Sequence, residues 1–112
     1  MARHHLLAFT NPAPGREEEF NRWYDEQHLT DMLAVPGFIS GQRFALRDAT
    51  GQGKPGWTYL ALYELETDDL DGLMEEVRSR LGTDAIPVSD ALDSKTAGGM
   101  IATALTARVP AK

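Results

Sequence analysis

The run from Trp57 to Glu66 constrains this chain most, because it is apolar in both strand phases: Tyr59 and Ala61 on one face, Leu60 and Leu62 on the other. Side chains alternate across a strand, so such a strand needs cover on both sides. A first strand, His4 to Thr10, makes the same demand, with Leu6 and Ala8 opposed to Leu7 and Phe9. Any fold that accommodates both runs must bury a sheet between two layers.

The remaining elements suggest what those layers are. Asn11-Pro12-Ala13-Pro14-Gly15 ends the first strand, since both prolines block ladder pairing. Arg16 to about Leu33 reads as a long helix or a helix plus a short second piece, with Glu17, Glu18 and Glu19 complementing the dipole of its first turn. Pro36-Gly37 stops it. Phe38 to Arg47 reads as a second strand, Asp48 to Gly56 as a Gly- and Pro-containing loop, and Trp57 to Glu66 as the returning arm of an antiparallel hairpin. Thr67 is placed to cap a helix whose buried stripe is Leu70, Leu73, Met74, Val77 and Leu81, ended by Gly82. Thr83 to Gly99 reads as a long loop with at most one helical turn, a candidate lid, and Met100 to Val109 as the last strand.

The order β-α-β-β-α-β predicts a single α+β domain of ferredoxin-like topology, a four-stranded antiparallel sheet with both helices on one face. The bare face is then apolar, and a second copy of the chain is its simplest cover. At 112 residues the chain suits one domain that gains from pairing.

Composition narrows the function. The formal charge is −6 with no Lys/Arg cluster, which argues against nucleic acid. The absence of cysteine removes disulfides and thiolate chemistry and agrees with a reducing compartment. The N-terminal apolar run is too short for a signal peptide, and no stretch is long enough to span a membrane, so a cytoplasmic protein without membrane attachment is expected. There is no phosphate-binding glycine loop, nucleophile elbow or His-Glu-x-x-His.

The segment Asn11 to Phe38, with Trp23, Tyr24, His28 and the turn Val35-Pro36-Gly37, resembles the dimeric α/β-barrel superfamily, and its EthD-like branch most closely. Tyr59-Leu60-Ala61-Leu62-Tyr63-Glu64-Leu65 resembles the third strand of that group. The pattern departs at Thr30, where members often carry proline two positions after the histidine. The resemblance implies a homodimer whose sheets pack into a barrel. It leaves the activity open, since cofactor-free monooxygenases, cyclases, isomerases and lyases share the fold. Haem-degrading relatives use a histidine in the second half of the chain, and none follows His28 here.

His28 is the foremost candidate, because an imidazole can give or take a proton near neutrality. It lies four residues after Tyr24 and eight after Phe20, on one helix face toward the sheet. A structural histidine bonded to a backbone carbonyl fits the same position. Tyr24 can orient or protonate a substrate oxygen, or serve as core. Trp23 can stack on a ligand or act as plain core or dimer contact. Asn11 can bond a ligand carbonyl or form the turn, and Tyr59 is a further candidate contact. His5 is a candidate facing the same cavity as His28. Arg43, in mid-strand, can hold an anionic substrate or pair with an acid across the dimer. His4 and His5 point to opposite faces and do not favour a metal site. The reading is a small-molecule enzyme with no bound cofactor, acting on an aromatic or polyketide-like metabolite. The alternatives are a non-catalytic metabolite-binding or auxiliary dimer and a purely structural dimerisation domain.

Overall fold

A computed structural model describes residues 1–53 and 56–112; residues 54 and 55 of the expected Asp48–Gly56 loop lie outside the described residues. The strands are β1 (Arg3–Thr10), β2 (Phe38–Ala45), β3 (Tyr59–Glu66) and β4 (Gly98–Ala102), and the helices α1 (Glu17–Trp23), α2 (Leu29–Leu33) and α3 (Leu70–Arg80). A π-helical turn, Tyr24–His28, joins α1 to α2 without a break. The strands form one antiparallel sheet in the order β2-β3-β1-β4. This is the ferredoxin-like α+β arrangement the element order predicts.

β3 and β1 occupy the centre, which explains their apolar character in both phases. On the helix side Ala61, Tyr63 and Leu65 are buried against Phe20, Met32, Leu73 and Val77. On the other side lie Leu7, Phe9, Leu60, Leu62 and Phe44, the last 38% exposed, with no helix over them. Trp57 lays its ring on Phe9, centroids 4.8 Å apart, at the margin of this face.

Gly37 and Gly98 show why glycine is needed at close approaches. Gly37 has φ +105° and accepts the Glu66 N–H, and a Cβ there would stand 3.1 Å from Leu73. Gly98, which opens β4, lets the Trp57 ring sit where a Cβ would meet it at 3.1 Å.

Several boundaries differ from the expectation. Asp69, not Thr67, caps α3, accepting the Gly72 N–H at 3.0 Å, while Thr67 Oγ1 accepts the Asp69 N–H and sets up that turn. β3 starts at Tyr59, and the Thr58 N–H before it is shared between Asn11 Oδ1 at 2.8 Å and the Thr10 carbonyl at 3.3 Å. β2 ends at Ala45 rather than Arg47. β4 begins at Gly98 and ends at Ala102, not Val109: its last pair is Ala102 with His5, two residues short of the Arg3 end of β1. Beyond it Leu105 and Val109 are 98% and 81% exposed. The segment 83–97 contains no helix, yet two of its side chains, Ile86 and Ala91, are fully buried and anchor it. Among the described residues no helix is long and apolar enough to cross a membrane.

Candidate functional site

A cavity of about 460 Å³ opens between the first helical segment, α3, and the β1–β4 half of the sheet. Its floor is the helix-facing phase of β1, namely Leu6, Ala8 and Thr10. One wall is Trp23, Tyr24 and His28, and α3 supplies the opposite wall through Met74 and Val77. The 83–97 segment closes one side with Leu92 and Ala97. It is pinned there by Arg16 to Asp90 at 2.8 Å, by the Ala13 N–H to the Ala91 carbonyl at 2.6 Å, and by Trp57 Nε1 to the Thr96 carbonyl at 2.6 Å.

The π turn shapes the aromatic wall. In an α-helix residues four apart share a face, which brings Tyr24 and His28 together. Here the Leu29 N–H reaches back to the Tyr24 carbonyl, a five-residue span that widens the turn. Residues five apart then also come into register. Trp23 and His28 lie ring over ring, centroids 4.5 Å apart and tilted by 31°, while Tyr24 meets His28 edge-on at 4.8 Å. The result is one continuous ring surface with an imidazole at its end.

His28 is 8% exposed. Its Nδ1 is buried with no partner, and no ring nitrogen of His28 hydrogen-bonds another described residue. Burial disfavours the imidazolium and brings the pKa from 6.5 down to about 4, so the ring is neutral at pH 7. A structural histidine would have used a ring nitrogen on a backbone carbonyl, and this one does not. Tyr24 is 2% exposed and shares a hydrogen bond of 3.4 Å with the Tyr63 hydroxyl. Burial raises its pKa, opposed by the Tyr63 hydrogen bond and by the positive charge of Arg43. Thr10 is 6% exposed, and its Oγ1 also lacks a partner. Leaving such a buried group unpaired costs about 1–3 kcal/mol.

The other candidates lie outside the cavity. Arg43 sits on the far side of the helix, 13% exposed, donating from Nη1 to Asp25 at 2.7 Å and from Nη2 to Asn21 Oδ1 at 2.8 Å. Its guanidinium lies over Tyr24, Tyr59 and Phe20, 4.6, 5.1 and 5.6 Å from the ring centroids. Its acid is therefore on its own chain, and it backs Tyr24 from behind the cavity wall. Tyr59 stacks on Phe20, accepts from Asn21 Nδ2 at 3.1 Å and donates to the Glu17 carboxylate. Asn11 spends its whole amide on the fold, donating to the Gly56 carbonyl and Thr96 Oγ1 and accepting twice from Thr58. His5 does not share the His28 cavity. It is exposed on the opposite sheet face, beside Ser40, Gln42, Leu62 and Glu64, because its odd position on β1 points it away from the helices.

Sequence reasoning passed over Thr10. The available signal was its parity with Leu6 and Ala8, which places a hydroxyl on the buried phase of β1 at the strand end. Among the described residues, no three His, Asp or Glu side chains gather in a way that would hold a metal ion.

Comparison with known proteins places the fold. No family model matches the chain, and no curated protein matches its sequence. Solved structures do. An EthD family protein from Bacillus halodurans superimposes with a TM-score of 0.64 at 17% identity, covering 92% of this chain and 99% of that one. A protein from Shewanella loihica described as a candidate monooxygenase gives 0.59 at 15% identity, covering 95% and 97%. The resemblance to the EthD-like branch is borne out as a likeness of fold.

Proposed function

We propose that this protein is a small-molecule enzyme, with His28 as general acid and base and Tyr24 orienting the substrate. One observation carries the reading: a neutral, buried imidazole with no protein partner stands on the wall of an apolar cavity. A neutral ring accepts a proton from an acidic O–H or C–H at one nitrogen and returns it to another atom of the same molecule. That suffices for isomerase, lyase or cyclase chemistry with no resident cofactor, and for a monooxygenase-type reaction once dioxygen joins as co-reactant. The ring wall of Trp23, Tyr24 and His28 suits an aromatic or polyketide-like substrate. The EthD family protein and the candidate monooxygenase of the same fold are compatible with such a role.

We further propose a homodimer in which the apolar open faces, with Leu7, Phe9, Leu60, Leu62 and Phe44, cover each other. A second reading, a metabolite-binding protein without catalysis, is favoured by one feature: an imidazole with a pKa near 4 is a weak base.

One experiment separates these readings. The protein, its mass checked by sedimentation for two chains, is incubated in D2O with 1-tetralone, a bicyclic aryl ketone with exchangeable C–H bonds beside the carbonyl. Catalysed deuterium uptake that falls about 10²- to 10⁴-fold in His28→Ala, with the fold intact, is the expected result. Uptake unchanged in the variant would remove His28 from the mechanism. Binding without uptake or product would select the metabolite-binding reading.

A further inference from the structure

Among the described residues, the cavity lining holds one side chain with a fixed charge, Arg78, and no carboxylate. The rest of what α3 gives the cavity is apolar: Met74, Val77 and Leu81. The four fall at i, i+3, i+4 and i+7, so a single face of α3 bounds the cavity and carries the cation within its apolar stripe. The Arg78 side chain is 63% exposed, which puts it where the cavity meets solvent. Leu81, Met100 and Ile101, which also line the cavity, are exposed as well, so apolar surface runs out to the mouth.

The dipole of α3 favours cations in the last turn, and two stand there, Arg78 and Arg80. They are used differently. Arg80 donates from Nε to Glu76 at 2.7 Å and does not line the cavity. Arg78 donates from Nη2 to Glu75 at 3.0 Å, in a pair exposed on both sides, which water and salt make a weak competitor. Its Nε and Nη1 have no protein partner among the described residues. The other arginine near the site, Arg43, spends its terminal donors on Asp25 and Asn21 behind the wall.

We infer that Arg78 selects the charge of the ligand, so that the cavity takes an amphipathic acid with its ring body among the apolar walls and its carboxylate at the mouth, on the guanidinium. This rests on the cavity being the substrate site, as proposed above. A guanidinium bonds a carboxylate through a fork of N–H donors, and the solvent-facing position leaves those donors within reach of a bound molecule. The formal charge of the chain, −6, disfavours anions in general, so a preference for one is a local property of this residue. Anchoring the charged end at the mouth also decides which end of the ligand meets the ring wall of Trp23, Tyr24 and His28: the uncharged one.

The test measures three bicyclic ligands against the full chain by equilibrium dialysis at neutral pH: tetralin-2-carboxylate, its neutral isostere tetralin-2-carboxamide, and 1-tetralone. The wild type is expected to bind the carboxylate about fivefold more tightly than the carboxamide, the effect of a partly exposed ion pair. Arg78→Gln is expected to abolish that preference by weakening the carboxylate alone. Arg78→Lys is expected to keep part of it, since the charge remains and the fork is lost. Equal affinity of the wild type for carboxylate and carboxamide overturns the assignment of Arg78 and leaves the cavity reading standing. A preference that survives Arg78→Gln overturns it too, and so does equal weakening of all three ligands, which would reduce Arg78 to shaping the mouth. Failure of the wild type to bind any of the three overturns the cavity reading and this inference with it.

Discussion

The two flanks of the helical segment Glu17–Leu33 differ in how far they fill the space beside their polar side chains. On the β2–β3 flank, Arg43 fills the space between strand and helix. Both its terminal nitrogens are partnered, three aromatic rings lie about its guanidinium, and Nε alone is buried without a partner. On the β1–β4 flank, Thr10 and His28 line an unfilled cavity, and each keeps a buried atom without a partner. The same helix thus closes one joint and holds another open. A protein shaped for stability alone would have filled both, because cavities and orphaned polar groups each cost free energy.

The contrast can be broken at three points. The largest effect belongs to His28. Its pKa falls from 6.5 in the unfolded chain to about 4 in the folded one, so the folded state resists a proton that the unfolded state takes up. The stability linked to this group is fully present above pH 6.5, is lost as pH falls toward 4, and does not change below that. His28→Gln is expected to flatten this slope, reducing the difference in unfolding free energy between pH 7 and pH 4 by about 3 kcal/mol. Urea titrations at several pH values measure it, and an unchanged slope would mean the imidazole is better solvated than its surroundings indicate.

Arg43 comes next. Arg43→Ala is expected to destabilise the fold by about 2 kcal/mol, by removing a packed side chain and two charge-assisted hydrogen bonds. Its effect on 1-tetralone affinity is expected to stay within about threefold, since the residue lies behind the wall. A large loss of affinity in dialysis, with little loss of stability, would reverse the assignment of the two flanks. The smallest effect is a gain. Ala8→Leu fills the cavity floor and is expected to stabilise the protein by about 1 kcal/mol while blocking ligand binding. Thermal unfolding with and without 1-tetralone reads both consequences together.

The sheet and its helix side were legible because the signals were periodic. Ala61, Tyr63 and Leu65 follow the strand period, and Leu73 and Val77 the helical one. The end of β4 was not legible, because Ala, Thr, Leu and Val continue past Ala102 while the pairing with β1 stops at His5. Ile86 and Ala91 were hidden in an aperiodic segment whose burial comes from tertiary anchors. Within the site, the spacing of Tyr24 and His28 was enough to place them on one wall. Trp23 joins them only through the π turn, a backbone choice that its residues do not announce. Arg43 was recognisable as a mid-strand cation needing a partner, but nothing in its neighbourhood pointed to Asn21 and Asp25.

The position of β1 between β3 and β4 has a consequence for assembly of the fold. The β2–β3 hairpin joins residues close in the chain, whereas β1 must find partners at residues 59–66 and again at 98–102. Long loop closures of this kind slow folding. On the ribosome the sheet cannot be completed until Gly98–Ala102 has been made. Until then one side of β1, including the floor of the cavity, borders on an unpaired strand edge. Tying the cavity floor to the last strand means that the cavity takes its shape only in a chain that has finished its sheet.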